Sequence, residues 1–351
     1  MFQTWTREAG MKTAAKRGMA VASVCALSIG MAGCGGSDSS EPGANGENML
    51  FVNVVKLTGV TWFDRMEVGL ETFSKENDIT VEQVGPSQAT PEEQVRMVQD
   101  LIARKPTVLG VVPNSASALE GVLKRAMDEG IVVVSQEAPS LENTDVDIEA
   151  FDNDDYGAMM MDNLAECMGG SGEYASLIGS FTEESQAQWA DAAWKQAQSK
   201  FPGIERVQDP LESNNDSEKA YQNTKELLTK YPNLKGILGS SAQDIPGAAR
   251  AVEERDLEDQ ICVMGTSIPS VSGQYLKSGA VDKMFGWDPA VAGQAAMKLG
   301  LLLAEGKEIT PGLDLGLEGY ESIQPIEGSP HGYRGDAAIS IDESNVADYQ
   351  F

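Results

Sequence analysis

Residues 108–134 read VLGVVPNSASALEGVLKRAMDEGIVVV, and the fold is decided there. Val108-Leu109-Gly110-Val111-Val112 is a continuous apolar run of strand length. Leu119, Val122, Leu123 and Ala126 then recur at helical spacing, Gly130 stops the helix, and Ile131-Val132-Val133-Val134 is a second apolar run. Continuous runs, unlike alternating ones, mark parallel strands covered on both faces, so the stretch predicts a strand–helix–strand unit.

The rhythm extends both ways. Upstream, Leu50 to Val55 predicts a strand, Phe63 to Glu76 a helix and Ile79-Thr80-Val81 a strand; Thr90-Pro91-Glu92-Glu93 opens the next helix with a hydroxyl at the N-cap, Pro at N1 and an acid at N3. After a crossing near Phe151, strands are expected at Tyr174 to Ile178, near Ile204, at Gly236 to Gly239, at Ile261 to Met264 and at Val281 to Phe285. Helices at Gln186 to Lys200, Ser217 to Lys230 and Ile245 to Glu254 fall between them. The expected fold is α/β, with two doubly wound, Rossmann-like parallel-sheet domains joined by a multi-strand hinge. The first lobe is expected to comprise residues 49–152 and 287–320, the second 153–286 and 321–351.

Composition narrows the function. The chain has 351 residues, 54 acidic and 26 basic, with 41% hydrophobic residues, enough to bury the cores of two domains. A formal charge of −28 with no basic stripe removes the main source of nucleic-acid affinity. The one histidine, His331, lies in a Gly/Pro-rich tail, which leaves zinc sites and His-based triads without material, so neither a metal nor a cofactor is expected. With no G-x-S-x-G elbow and no phosphate loop, an enzyme is not expected either.

The N-terminus reads as a targeting signal. Lys12, Lys16 and Arg17 precede an apolar run from Met19 to Ile29, and Met31-Ala32-Gly33-Cys34 supplies a small-residue cleavage site, so residues 1–33 are expected to be a signal peptide. This junction resembles the bacterial lipoprotein box, which implies lipidation of Cys34. Residues 34–48, rich in Gly, Ser and Glu, read as a flexible tether. Cleavage would remove four basic side chains and one acidic one, so the body would not lie flat on an anionic membrane. The lipid would be its one membrane contact, on the outer face of the cytoplasmic membrane or in the periplasm.

Doubly wound sheets bind ligands beyond the carboxyl ends of their strands. Those ends carry Lys56, Trp62 and Phe63; Asn114; Gln136 and Glu137; Thr182, Ser185, Gln186 and Trp189; Asn215; Ser240, Ser241, Ala242 and Gln243; Thr266 and Ser267; and Trp287 with Asp288. Indoles that cover a C–H face, with amides, hydroxyls and carboxylates to fix hydroxyls, suit a polyhydroxylated ligand. Core packing is the alternative for Trp62 and Trp287, and solvated loop amides for Gln136 and Gln186.

Val55-Lys56-Leu57-Thr58-Gly59-Val60, Gln186-Ala187-Gln188-Trp189, Ile245-Pro246-Gly247-Ala248-Ala249-Arg250, Gly265-Thr266-Ser267-Ile268-Pro269 and Gly286-Trp287-Asp288 carry a family resemblance. The body resembles type I periplasmic sugar-binding proteins of ABC importers, nearest the branch that binds autoinducer-2 or rhamnose. The resemblance implies ligand contacts from Lys56, Gln136, Ser185, Gln186, Ser240 and Ala242, an aromatic pair Trp62-Phe63 over a sugar ring, and Asp288 as a hydroxyl acceptor. Gln136 and Ser185 stand where that branch has Asp, and Ser240 where it has Pro, so two carboxylates are expected to be missing from the cleft. A monosaccharide or similar small polyol is therefore preferred to autoinducer-2.

The implied partner is an ABC permease, and the implied state a monomer whose lobes close on the ligand. A sensory lipoprotein presenting a sugar to a receptor kinase is the alternative. Cys167 and Cys262 fall at one edge of the second domain, which leaves a disulfide open.

Overall fold

The computed structural model describes residues 49–351; Cys34 and the expected signal and tether lie outside the described residues. The first lobe opens with β1 (Leu50–Val54), α1 (Thr61–Asn77), β2 (Thr80–Val84), α2 (Pro91–Ile102), β3 (Val108–Val111), α3 (Ala116–Asp128), β4 (Val132–Ser135) and β5 (Val146–Glu149). The chain then crosses into α4 (Asn153–Cys167), β6 (Gly172–Ile178), α5 (Glu184–Lys200), β7 (Ile204–Arg206), β8 (Leu211–Glu212), α6 (Ser217–Lys230), β9 (Leu234–Gly239), α7 (Asp244–Glu253), β10 (Cys262–Thr266), α8 (Pro269–Ser278) and β11 (Lys283–Gly286). It returns through α9 (Pro289–Ala304), and short strands β12 (Gln324–Pro325), β13 (Gly332–Arg334) and β14 (Ile339–Ile341) close the described chain.

The fold is α/β of the expected kind, with strand orders β12-β13-β5-β4-β3-β1-β2 and β14-β11-β10-β9-β6-β7, and β8 paired to β6. All pairings are parallel except β12 with β13 and β14 with β11 at the sheet edges. The central strands β3 and β10 are buried throughout, as covering on both faces requires. Helix α9 packs on α1 and against β3 and β4, so the last long helix belongs to the first lobe.

Two expectations change, and one strand is added. The tail does not leave the first lobe at residue 320: β13 pairs with β5 and β12 with β13, and the return to the second sheet comes between Arg334 and β14. An open β5 edge at the hinge would leave its backbone groups unpaired, and β13 covers it. Strand β5 has no continuous apolar run to announce it: its Val-Asp-Ile-Glu sequence alternates, yet Asp147 and Glu149 are both buried. Thr90 does stand at the N-cap of α2, but its hydroxyl makes no capping bond.

Cys167, ending α4, is bonded to Cys262, opening β10, with Cα atoms 6.1 Å apart. The bridge ties a surface helix to a central strand of the second lobe. Replacing both by Ser is expected to lower stability by about 2–4 kcal/mol, seen as a lower melting temperature. Two thiols reactive in the unreduced, denatured protein would contradict the bond.

Candidate functional site

The carboxyl ends of both sheets face one cleft, lined by Lys56, Trp62, Phe63 and Glu137 from the first lobe, by Gln186, Trp189, Asn215 and Ser240 to Gln243 from the second, and by Thr266 and Trp287. Leu57 and Val60 complete the wall.

One side of the cleft is aromatic. Trp62 meets Trp287 edge to face with centroids 4.7 Å apart, and Trp287 lies 5.8 Å from Trp189. Phe151, stacked on Tyr156, closes the cluster 5.2 Å from Trp287. Trp189 Nε1 donates to Asn153 Oδ1 at 2.6 Å, which fixes that indole's orientation. Core and ligand surface are thus not alternatives for these rings, because nearly all of each indole is buried while one part forms the cleft wall.

The other side is polar and charged. Buried Gln94 donates to the carbonyls of Val55 and Val112 and accepts from Asn114 N–H, while Asn114 Nδ2 donates to Lys56 O at 2.8 Å. The loops after β1 and β3 are therefore held together, with Lys56 at their junction. Lys56 Nζ reaches Glu137 at 2.6 Å in its own lobe and Glu183 at 3.0 Å in the other. Burial alone would lower the Lys56 pKa, but the two carboxylates outweigh it and hold the ammonium above its usual value. Glu137 adopts φ 59° and Asn214 and Asn215 φ 56° and 54°, left-handed conformations uncommon outside glycine, and such strain gathers at functional sites.

Further bonds close the lobes: Thr182 Oγ1 donates to Asn114 O at 2.8 Å, Ser140 Oγ to Glu184 at 2.7 Å, and Ser185 Oγ to Glu149 at 3.2 Å.

Besides the strand-end residues Glu137, Trp189, Asn215, Ser241, Gln243 and Thr266, the expected ligand contacts Lys56, Trp62, Phe63, Gln186, Ser240, Ala242 and Trp287 line the cleft. Four do not. Asp288 is taken by Arg65 in a two-point ion pair at 2.9 and 2.6 Å and caps α9 through Ala290 N–H, so its carboxylate is committed away from the cleft. The Gln136 side chain turns to Ala292 O of α9, Ser185 to Glu149, and Ser267 to Ala242 O and Ser272 behind the cleft wall. The expected shortage of carboxylates is corrected in part: Glu137 lines the cleft, and Glu183 lies behind its wall. Glu137, next to Gln136, and Glu183, two residues before Ser185, bring two carboxylates to Lys56 from neighbouring positions. The signal was an acidic residue one position after Gln136 and another two positions before Ser185, each with a side chain one methylene longer than Asp.

Asp244 underlies the second lobe's wall, accepting from the N–H groups of Ser240 at 3.1 Å and Ser241 at 2.8 Å. Burial pushes its carboxyl up to about 7 against those amides, and likewise pushes Asp147 at the hinge up to about 7. Because the folded values lie above the ordinary 3.8, both contributions to stability are intact in acid and are lost as pH rises through about 7. The protein should be more stable at about pH 6 than at about pH 8, by about 1 kcal/mol per group, and Asp147→Asn should flatten part of that slope. Denaturant melts at the two pH values check this; equal midpoints would contradict it.

A cleft between two doubly wound lobes, joined at a hinge by several crossings, defines a two-lobed clamp. Residues 51–308 match the periplasmic binding protein domain, and the chain belongs to that family. It is 27% identical over 260 residues to the D-ribose/D-allose-binding protein of Pseudomonas aeruginosa, covering 70% of this chain and 80% of that one. It is 24% identical to the D-allose-binding periplasmic protein of Escherichia coli, covering 69% and 80%. The fold resembles an ABC transporter solute-binding protein of Clostridium phytofermentas with bound L-rhamnose (TM-score 0.80, 21% identity, 86% of this chain and 98% of that one). It also resembles LsrB of Clostridium saccharobutylicum in complex with AI-2 (TM-score 0.79, 19% identity, 86% and 100%). No helix among the described residues is long and apolar enough to cross a membrane.

Proposed function

We propose that the chain captures a monosaccharide or similar small polyol between its lobes and delivers it to an ABC permease, outside the cytoplasm and held to the membrane by lipid on Cys34. The observation that carries this reading is one cleft built by both lobes, with indoles on one side and Lys56, Glu137, Gln186, Asn215 and Ser240 on the other. Rings cover the apolar face of a sugar while charged and amide groups bind its hydroxyls. Relatives named for D-ribose, D-allose and L-rhamnose support the ligand class. The ligand bridges both lobes and so favours the closed form through contacts that exist only there, and the protein performs no chemistry on it.

Autoinducer-2 is the second reading. It is favoured by the two carboxylates at Lys56 and by the likeness to LsrB.

Calorimetry of the folded protein against D-ribose, D-allose, L-rhamnose and autoinducer-2 tests both. One of them is expected to bind at about micromolar Kd or tighter, and no binding by any would overturn the reading. Release of a Cys34→Ser variant from the membrane fraction tests the anchor.

A further inference from the structure

Glu183 ends the loop leading into α5, and its buried carboxylate accepts from three side chains that line the cleft. Lys56 Nζ donates at 3.0 Å, Gln186 Nε2 at 2.6 Å and Asn215 Nδ2 at 2.6 Å. These donors come from three places: the end of β1 in the first lobe, the first turn of α5, and the loop before α6. Only 1% of the Glu183 side chain is exposed, and it is absent from the cleft wall. It meets the ligand-facing groups without facing the ligand itself.

That arrangement dictates which atoms the cleft offers. Asn215 has Nδ2 on Glu183 while its Oδ1 accepts from Ser241 Oγ at 2.7 Å, so the amide is held in one orientation. Gln186 is held likewise, Nε2 on Glu183 and Oε1 accepting from Gly179 N–H at 2.9 Å. An ammonium has three N–H donors, and Lys56 commits two of them, to Glu137 and Glu183. One donor on Lys56 and one on the Asn215 amide stay uncommitted, so a ligand must bring acceptor oxygens to this end of the cleft. The Lys56–Glu183 bond also crosses from lobe to lobe, so closure is stabilised before any ligand arrives.

We propose that Glu183 is the positioning residue of the cleft: it orients Lys56 and Asn215 to donate to acceptor oxygens of the ligand, and through Lys56 it draws the empty lobes together. The first half rests on the small-polyol reading above; the second does not. The charged or titratable groups facing Glu183 are Lys56 and Glu137 from the first lobe and Asp244 from α7. Burial raises the Glu183 carboxyl above its usual range, against the pull of Lys56 and Asn215. Protonation of that carboxyl in acid would loosen its hold on Lys56, so affinity should fall as pH falls.

The test compares wild type, Glu183→Gln and Glu183→Asp. Calorimetry with D-allose, D-ribose and L-rhamnose is expected to show about 50-fold weaker binding by E183Q and a smaller loss by E183D, which keeps the charge. Wild-type affinity is expected to fall about tenfold more steeply than that of E183Q between about pH 7.5 and about pH 5, a difference that Asp244 and Glu137, common to both, do not produce. Small-angle scattering without ligand should show E183Q more open than wild type. E183Q binding within about threefold of wild type with an unchanged pH profile would overturn the proposal. If wild type binds none of the sugars, the ligand reading fails and scattering alone decides: an E183Q as compact as wild type sinks the latch. If E183Q does not fold, E183D decides, and wild-type affinity and compactness in E183D would count against the proposal.

Discussion

Lys56→Met is expected to abolish measurable sugar binding and to destabilise the fold by about 3–5 kcal/mol, because it leaves Glu137 and Glu183 facing each other without a counter-ion. The Glu183 side chain is 1% exposed and that of Glu137 12%, so water cannot replace the lost ammonium at Glu183. Affinity should fall by at least about 100-fold, since Lys56 is both a ligand-facing donor and the link between the lobes. The stability loss should depend on pH in a definite direction. Lys56 pulls the Glu183 pKa down, so its removal raises a value that burial has already raised. A carboxyl with a raised folded pKa costs stability only as pH climbs through that value, so the gap from wild type should shrink on acidification. Urea midpoints at about pH 7.5 and about pH 5 measure it, and a gap of equal size at both would refute the account.

Gly69→Ala is the second large effect, and it acts through packing. Gly69 lies where α1 crosses the start of α9, and a Cβ there would stand 1.9 Å from Ala290 O and 2.6 Å from Ala290 C. Both obstacles are backbone, so no side chain can turn aside and the helices must part. Overpacking of this kind costs about 3 kcal/mol, a fall in melting temperature of roughly 6–12 °C. Function should suffer with it. Ala290 follows Trp287 by three residues, and Trp62 sits on the same helix as Gly69, so parting the helices pulls apart the two indoles that meet edge to face at 4.7 Å. Sugar affinity should drop in the variant even well below its melting temperature. A variant with wild-type melting and binding would show that the helices do not approach so closely.

Much of this was legible from local pattern. A strand run such as Ile131 to Val134 must be buried on both faces wherever it sits, and a stripe such as Leu119, Val122, Leu123 and Ala126 must face a core, so strand–helix–strand order follows from neighbours alone. Given that order, the chain topology brings Lys56, Trp62, Gln186, Ala242 and Trp287 to the carboxyl ends of their strands, and thus to one cleft.

What the tertiary structure alone decided is which polar group each of those residues meets. Asp288 is paired with Arg65 across 223 positions, Gln136 with Ala292 across 156, and Lys56 with Glu183 across 127. The tail strand β13 covers β5 rather than crossing early. Hydrophobic periodicity reports only which way a side chain faces within its own element. A hydrogen bond or ion pair depends instead on distances of about 3 Å between elements far apart in sequence, which no local pattern reports.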